Sequence, residues 1–445
     1  MSTFPAKTEL ETLVRRALEE ATRLGATGAD AAVSVDSGLS VTVRLGEVET
    51  LEHHRDRGLG ITVYLGQRKG TATTGDLGWP AVAETVAKAV SMARFAAEDP
   101  FAGLPDVADL ARDADSIDLD LDHPWALDVD AAIAIAKASE AAALAVDARI
   151  TNSEGASIGT QRGIKIYGNT LGFMGGQPST YYSQSCVVVA SQDQAMERDY
   201  WYTAGRAAGD LETPESVGRT AALRTVRRLG ARRLATGRAP VLFVPEVARG
   251  LFGHFLGAIR GSSQYRKSSF LLDAAGTQVF PSFMQIDERP HLRRGLGSAA
   301  FDAEGCRTAD RALVKDGVLT GYVLNSYAAR KLNLRTTGNA GGVHNLIVAS
   351  GGDDFAALVA RMGRGLVVTE LMGQGVNGVT GDYSRGAAGF WVEQGELAYP
   401  VNEITIAGNL KDMLKGIVAV GSDVDRRGAL MTGSVLLEEM TIAGE

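Results

Sequence analysis

Cysteine is almost missing: Cys186 and Cys306 are the only two in 445 residues, and their separation matches no zinc-ligand spacing. That excludes a disulfide-stapled secreted scaffold and fits a reducing compartment holding free, buried thiols. Histidine is scarce as well. The six are His53, His54, His123, His254, His291 and His344, and no two stand three, four or five positions apart, so no one-turn ligand pair exists. No window reaches the roughly 18 consecutive apolar residues of a membrane span. The opening Met-Ser-Thr-Phe-Pro-Ala-Lys runs into an amphipathic helix pattern without the apolar stretch of a signal peptide. Cationic excess is also lacking: 45 Lys plus Arg against 53 Asp plus Glu leave a net charge of −8, which disfavours nucleic acid as a partner. A cytoplasmic protein without a membrane partner is expected.

Glycine, by contrast, is abundant: 53 residues, about 12% against a usual ~7%, crowded into 338–352 and 373–389. Many tight turns or close backbone approaches follow. An apolar fraction of 45% with 22% charged residues describes a folded chain long enough for two or three domains.

Leu10, Leu13, Val14, Ala17, Leu18, Ala21 and Leu24 trace one helical face ahead of Gly25. Alternating runs at 31–35, 39–45, 48–54, 60–65 and 70–74, with turns at Asp36-Ser37-Gly38 and 66–69, predict an antiparallel meander. Trp79-Pro80 opens a second helix. Residues 98–130 hold eleven Asp or Glu and one basic residue, Arg112, and predict a linker. Within it Asp118, Asp120 and Asp122 suggest a calcium loop. His123 and Val129, however, occupy the sixth and twelfth positions, where glycine and glutamate belong, so an edge strand with a solvated acidic face is expected. An alanine-rich helix over 131–146 precedes strands across 150–191, with turns at Ser153-Glu154-Gly155, Tyr167-Gly168-Asn169 and Gly175-Gly176. A helix over 215–238 carries seven arginines without interleaved aromatics, and predicts a solvated or partner-facing surface. The C-terminal part predicts strands at 279–284, 317–324, 345–349, 365–372 and 390–394, with helices at 326–332 and 353–363. Taken together this is an α+β chain: an N-terminal helix-plus-antiparallel-sheet lobe (1–110), a strand-rich middle domain (111–236) and a glycine-rich, strand-rich C-terminal domain (237–445).

Two motifs match only in letters. Gly155-Ala-Ser157-Ile-Gly159 spells a nucleophile elbow, but the elbow needs a helix after the serine and a strand follows here. Gly373-Gln-Gly375-Val-Asn-Gly378 spells a dinucleotide fingerprint without the helix whose N-terminus would hold pyrophosphate, so a hairpin loop is expected. The centre of the chain is 240–270. A strand run, Val241–Val244, feeds a helix with Val247, Leu251, Phe255 and Ala258 on one face, His254 near the middle and Gly261 closing it. A metal hydrolase helix has this setting but needs two ligands a turn apart and a carboxylate. Gly253, Phe255, Leu256, Gly257 and Ala258 surround His254 and provide none. A site assembled from distant residues such as His254, His344 and Cys306 is an alternative compatible with the sequence.

The stretch LMGQGVNGVTGDYSRGAAGFWVEQGELAYPVNEITIAGNLKDM (371–413), with TGNAGGVHNLIV (337–348) and 244–270, resembles the TldD/TldE (PmbA) family of bacterial peptidases, and within it the TldE/PmbA-type subunit. The resemblance implies a heteromeric zinc metalloprotease that processes peptides, including microcin precursors and antitoxin-like substrates. It implies that the TldD-type partner carries the zinc on an H-E-x-x-x-H helix, with a cysteine as third ligand. Laid on this chain, the histidine positions are Gly253 and Ala258 and the glutamate position is His254, so no ligand transfers and no cofactor is expected in this chain. The expected role is a non-catalytic subunit. Gln374, Asn377, Thr380, Asp382, Tyr383 and Arg385 are the loop residues expected to contact peptide or partner, or to cap turns. A self-sufficient peptidase with a non-motif site and a homodimeric peptide-binding protein are the alternatives, and alone the chain is expected to form a two-fold homodimer.

Overall fold

The computed structural model describes residues 4–444. α1 (Lys7–Arg23) buries the apolar face its spacing predicts: Leu10, Val14, Ala17, Leu18 and Ala21. β1 (Gly28–Arg44), β2 (Glu47–Leu65) and β3 (Arg68–Thr74) follow, then α2 (Trp79–Phe95), with Pro80 in its first turn. After α3 (Val129–Leu144), capped by Asp128, come β4 (Ile150–Asn169), β5 (Met174–Gln192), β6 (Ala195–Gly205) and α4 (Pro214–Arg227). The six strands form one antiparallel sheet in the order β3-β2-β1-β4-β5-β6. β1 is therefore held between β2 and β4, and strands from both sides of residue 110 share the sheet.

β1 differs from expectation, since no turn interrupts it at Asp36-Ser37-Gly38. Those residues pair straight across with Asp56, Arg55 and His54 on one side and Gly163, Arg162 and Gln161 on the other. The reason is phase. Ala29, Ala31 and Val33 pack with α1 and α2, and Leu39, Val41 and Val43 pack with Ala132 and Ala136 of α3. Both sets sit on odd positions, so the polar middle keeps the period of two. Gly38 is a site of close approach: a Cβ there would lie 2.0 Å from the Thr160 carbonyl and 2.3 Å from the His54 ring. Likewise the turn expected at 153–155 is a bulge inside β4, and Tyr167, Gly168, Gly175 and Gly176 stay within paired strands.

The acidic stretch is neither a linker nor an edge strand. Its backbone is irregular, and Leu110, Leu119 and Leu121 are buried. Its aspartates find arginines far away in sequence: Asp118 with Arg293 (2.5 Å), Asp120 with Arg294 (2.8 Å) and Asp122 bidentate with Arg162 (2.9 and 2.7 Å). It is a strap joining the first sheet to the C-terminal half, with Ala111 N–H donating to Gly305 O and Arg307 N–H to Asp109 O. On the same sheet face Asp30, opposite Thr62 and Asn169, is held near Glu304. Burial pushes its carboxyl up to about 7, Lys69 and Thr62 opposing and Glu304 adding to the shift.

The C-terminal half begins with β7 (Gly237–Phe243), α5 (Pro245–Ile259) and α6 (Gly261–Tyr265). Next come β8 (Ile286–Glu288), β9 (Arg311–Lys315), β10 (Val318–Leu319), α7 (Ser326–Leu332), β11 (Leu346–Val348) and α8 (Phe355–Met362). β12 (Gly365–Met372), β13 (Asp382–Glu393), β14 (Glu396–Asn409), α9 (Leu410–Lys415), β15 (Ile417–Val420), β16 (Leu430–Met431) and β17 (Val435–Ala443) complete the chain. Short strands form a sheet in the order β10-β9-β8-β11-β16; the longer ones run β14-β13-β12-β7-β17-β15. β14 also pairs with β17, which closes β7, β12, β13, β14 and β17 into a ring. Phe252 and Phe255 of α5 enter the core beneath it and meet Phe280 at 6.3 and 5.0 Å between ring centres. The strand expected at 279–284 is irregular, because Phe280 and Met284 are buried by turns rather than by a ladder. The fold is α+β, and among the described residues no helix is long and apolar enough to cross a membrane.

Candidate functional site

α5 leaves β7 through Pro245 and turns two unlike faces outward and inward. Ala248, Leu251, Phe252, Phe255, Ala258 and Ile259 are buried. The opposite face carries Glu246, Gly250, Gly253 and Gly257, and a Cβ built on any of these three glycines would meet nothing within 4 Å. That face is an open floor of helix backbone. Gly253 and Ala258 stand about 140° apart around the helix at 100° per residue; the first is exposed and the second buried. The helix ends at Ile259, earlier than expected. Arg260 is extended, and Gly261 opens α6 instead of closing α5; what requires glycine there is close packing, since a Cβ on it would lie 2.5 Å from Ala328 and 2.7 Å from Leu324.

His254 sits on the flank of this floor, edge-on to the Tyr383 ring at 6.1 Å. Burial, with the Arg385 guanidinium beside it, holds its imidazole below the usual range, so it is neutral at pH 7. Tyr383 is buried and its phenol pushed up to about 12 by that burial. The loop from β12 to β13 divides its polar residues. Asn377 Oδ1 accepts from the Val379 and Thr380 N–H groups (2.9 and 3.3 Å), Thr380 Oγ1 donates to Asp382 (2.6 Å), and Asn409 Nδ2 donates to Asp382 (3.2 Å). Those three hold the turn itself. Gln374 is exposed. Tyr383 and Arg385, by contrast, turn toward α5. No helix follows the glycines, and Gly375 lies where a Cβ would be 2.0 Å from the Ser384 carbonyl.

At the N-terminal end of the glycine face lies a cavity of about 310 Å³, reached between Arg198 and Tyr200 of β6, Arg224 and Arg228, Glu246 and Gly250 of α5, Glu370 and Leu371 of β12, and Arg385 of β13. Its charges are mostly paired. Arg224 meets Glu246 (3.1 Å) and Asp199 (3.5 Å); Arg228 meets Glu370 (2.6 Å), Glu197 (3.2 Å) and Asp199 (3.8 Å). Arg427 reaches Glu246 (3.6 Å) and Asp425 (2.9 Å) while stacking on Trp201 at 3.9 Å. Arg249 joins Asp425 (3.2 Å) and the Tyr202 hydroxyl (2.8 Å). Among the described residues Arg385 has no carboxylate within 4 Å, and its Nε is buried without a hydrogen-bond partner.

The helix expected over 215–238 stops at Arg227, and its arginines are not all solvated, for Arg224 and Arg228 point into this network. Sequence reading missed Asp199, Glu246, Glu370 and Asp425, whose partners lie far along the chain. The four-residue spacing of Arg224 and Arg228, one helix face, was the available signal.

A zinc centre needs three protein ligands around one point. On α5 the groups able to bind metal are His254, which stands next to a cation, and Glu246, two turns away and already engaged by Arg224 and Arg427, so the residues present do not fit a zinc ion. His254, His344 and Cys306 do not converge. Among the described residues the one group of three or more possible ligands within 4.8 Å of each other is Asp302, Glu304 and Cys306. That group is already engaged. Asp302 accepts from the N–H groups of Glu304, Cys306 and Ala340 (each 2.9 Å), and Glu304 accepts from Ser326 N–H at the start of α7 (2.9 Å). Burial pushes the Cys306 thiol far up, away from the thiolate a metal needs.

Family profiles described as the PmbA/TldA metallopeptidase C-terminal domain, central domain and domain 1 match residues 236–444, 122–229 and 29–93. The chain is 54% identical over 436 residues to the metalloprotease PmbA of Escherichia coli O157:H7, covering 98% of this chain and 96% of that one. A Bacteroides thetaiotaomicron structure named as a candidate modulator of DNA gyrase superposes with a TM-score of 0.93 at 28% identity over 98% and 99% of the two chains. TldE from Thermococcus kodakarensis shares the fold, with a TM-score of 0.81 at 19% identity over 99% and 100%.

Proposed function

The chain belongs to the PmbA/TldD metallopeptidase family, and on that premise we propose that it is a PmbA/TldE-type subunit that binds peptide and completes the substrate chamber of a TldD-type zinc metalloprotease without holding zinc itself. One observation carries this reading: the helix at the centre of the fold offers an open glycine face with a single neutral histidine where a metal helix would offer a ligand set. An extended peptide can lie against such a backbone floor, where no side chain holds it off. The partner's zinc would supply the activated water, while this chain's residues hold the peptide and exclude solvent. The substrates would be peptides of the microcin-precursor or antitoxin-like kind, handled in the cytoplasm.

The test compares the purified chain alone with its mixture with a TldD-type subunit. Metal content and cleavage of an unstructured peptide are measured for both. The expected result is zinc and chelator-sensitive cleavage only in the mixture. Stoichiometric zinc or cleavage in the lone chain would overturn the reading in favour of a self-sufficient peptidase. Peptide binding without cleavage in either preparation would turn it into a binding protein.

A further inference from the structure

The charge pattern of the cavity beside α5 identifies what it lacks. Its lining carboxylates are all answered: Asp199 by Arg224 and Arg228, Glu246 by Arg224 and Arg427, Glu370 by Arg228. Arg198 at the rim is answered by Glu154 (3.2 Å). Among the described residues lining the cavity Arg385 is the arginine without a carboxylate partner; its Nε, like that of Arg224, is buried without a hydrogen-bond acceptor. A buried donor without an acceptor is rare in a folded chain and points to a missing acceptor. The neighbours of this guanidinium, the His254 ring and the Tyr383 phenol that hydrogen-bonds it, are both uncharged at neutral pH and leave it without a counter-charge.

We propose that Arg385 binds a single carboxylate of a peptide lying along the Gly250–Gly253–Gly257 face, either the C-terminal carboxylate or an acidic side chain. The proposal rests on the peptide-binding part of the function proposed above. One guanidinium fork matches one planar carboxylate. A dianionic phosphate would meet the same fork but also face Asp199, Glu246 and Glu370 across about 310 Å³, so a monoanion fits better. Val247, Leu371 and Tyr200 supply apolar wall for the residue that bears the carboxylate. Gly250 lines the cavity and begins the glycine face, so the rest of the peptide leaves over open backbone past His254.

Calorimetric titration of the full chain with three versions of one short unstructured peptide tests this: free acid, C-terminal amide, and an amide carrying one internal glutamate. The free acid, the glutamyl amide or both should bind roughly ten- to a hundredfold tighter than the plain amide. Which of the two does so identifies the source of the carboxylate. Arg385→Gln should abolish the preference, and Arg385→Lys, which keeps charge but not the fork, should retain part of it. Far-UV circular dichroism of both variants checks that they fold. Equal affinity for all three peptides, no binding of any, or an undiminished preference in Arg385→Gln overturns the proposal. Cleavage of the plain amide by the mixture with the TldD-type subunit, measured in parallel, tells the two ideas apart. If Arg385→Gln supports cleavage but the acid preference was never present, the carboxylate site falls and the subunit role stands.

Discussion

Asp30 offers the sharpest test of the packing between the first sheet and the C-terminal half. Its carboxyl is pushed up to about 7 by burial, and that of Asp302, on the opposing turn, to about 6, also by burial. Both lie well above the ordinary aspartate value of about 3.9. An acid whose folded pKa is raised keeps a proton that the unfolded chain has already released. Its contribution to stability is therefore complete below about pH 4 and is lost as pH rises through the folded value. Between about pH 4 and 6 the two groups together should lower stability by roughly 2.7 kcal/mol per pH unit, and between 6 and 7 Asp30 alone by roughly 1.4. His254, held below its usual range, works in the opposite direction up to about pH 6.5 and shallows the measured slope. Asp30→Asn removes the Asp30 share and leaves the others, so the difference between variant and parent isolates it. That difference should move in favour of the variant by about 4 kcal/mol from pH 4 to pH 7 and stay level above. Urea denaturation in buffers from pH 4 to 8, followed by circular dichroism, measures it. Parallel pH profiles for the two proteins would refute the argument, because they would mean that Asp30 is solvated and ionised when folded.

Arg228 balances Glu370, Glu197 and Asp199 from a position only 11% exposed. Arg228→Leu should cost about 3–5 kcal/mol, seen as a lowered urea midpoint. Gly38→Ala sets a methyl 2.0 Å from a carbonyl oxygen and should destabilise by about 1–3 kcal/mol, read as a fall in melting temperature that His54→Ala does not reverse. The lone chain is expected to be a two-fold homodimer; light scattering behind a sizing column checks this, and a monomeric mass would count against it.

Much of the fold was legible because its signals are local. The face of α1, the proline start of α2 and the buried run of β12 depend on neighbours in sequence, and they stand where periodicity places them. The failures share a cause. Asp36-Ser37-Gly38 has the composition of a turn, yet the apolar residues on either side keep one phase, and phase outweighs composition in a strand paired on both sides. The acidic strap looked solvated because Arg162, Arg293 and Arg294 are remote in the chain. The helix over 215–238 ends early because, although its arginines suit a helix and Leu229 stays with the α4 face, Leu234 is drawn into the C-terminal core. At the site, the emptiness of α5 could be read from its glycines. The surplus of Arg385 could not, since a charge is left over only after every other pair is known.

The central place of β1 bears on how the chain is made. Leu39 N–H bonds the Thr160 side chain across a separation of 121 residues, and until β4 emerges one edge of β1 has no strand to pair with. At ribosomal speeds of about 5–20 residues per second that interval is roughly 6–24 s. Closing so long a loop also slows the pairing itself. A fragment ending near residue 110 would keep that bare edge permanently, and such an edge recruits other strands. The N-terminal lobe is therefore expected to aggregate when expressed alone and to become safe only once the middle of the chain is in place.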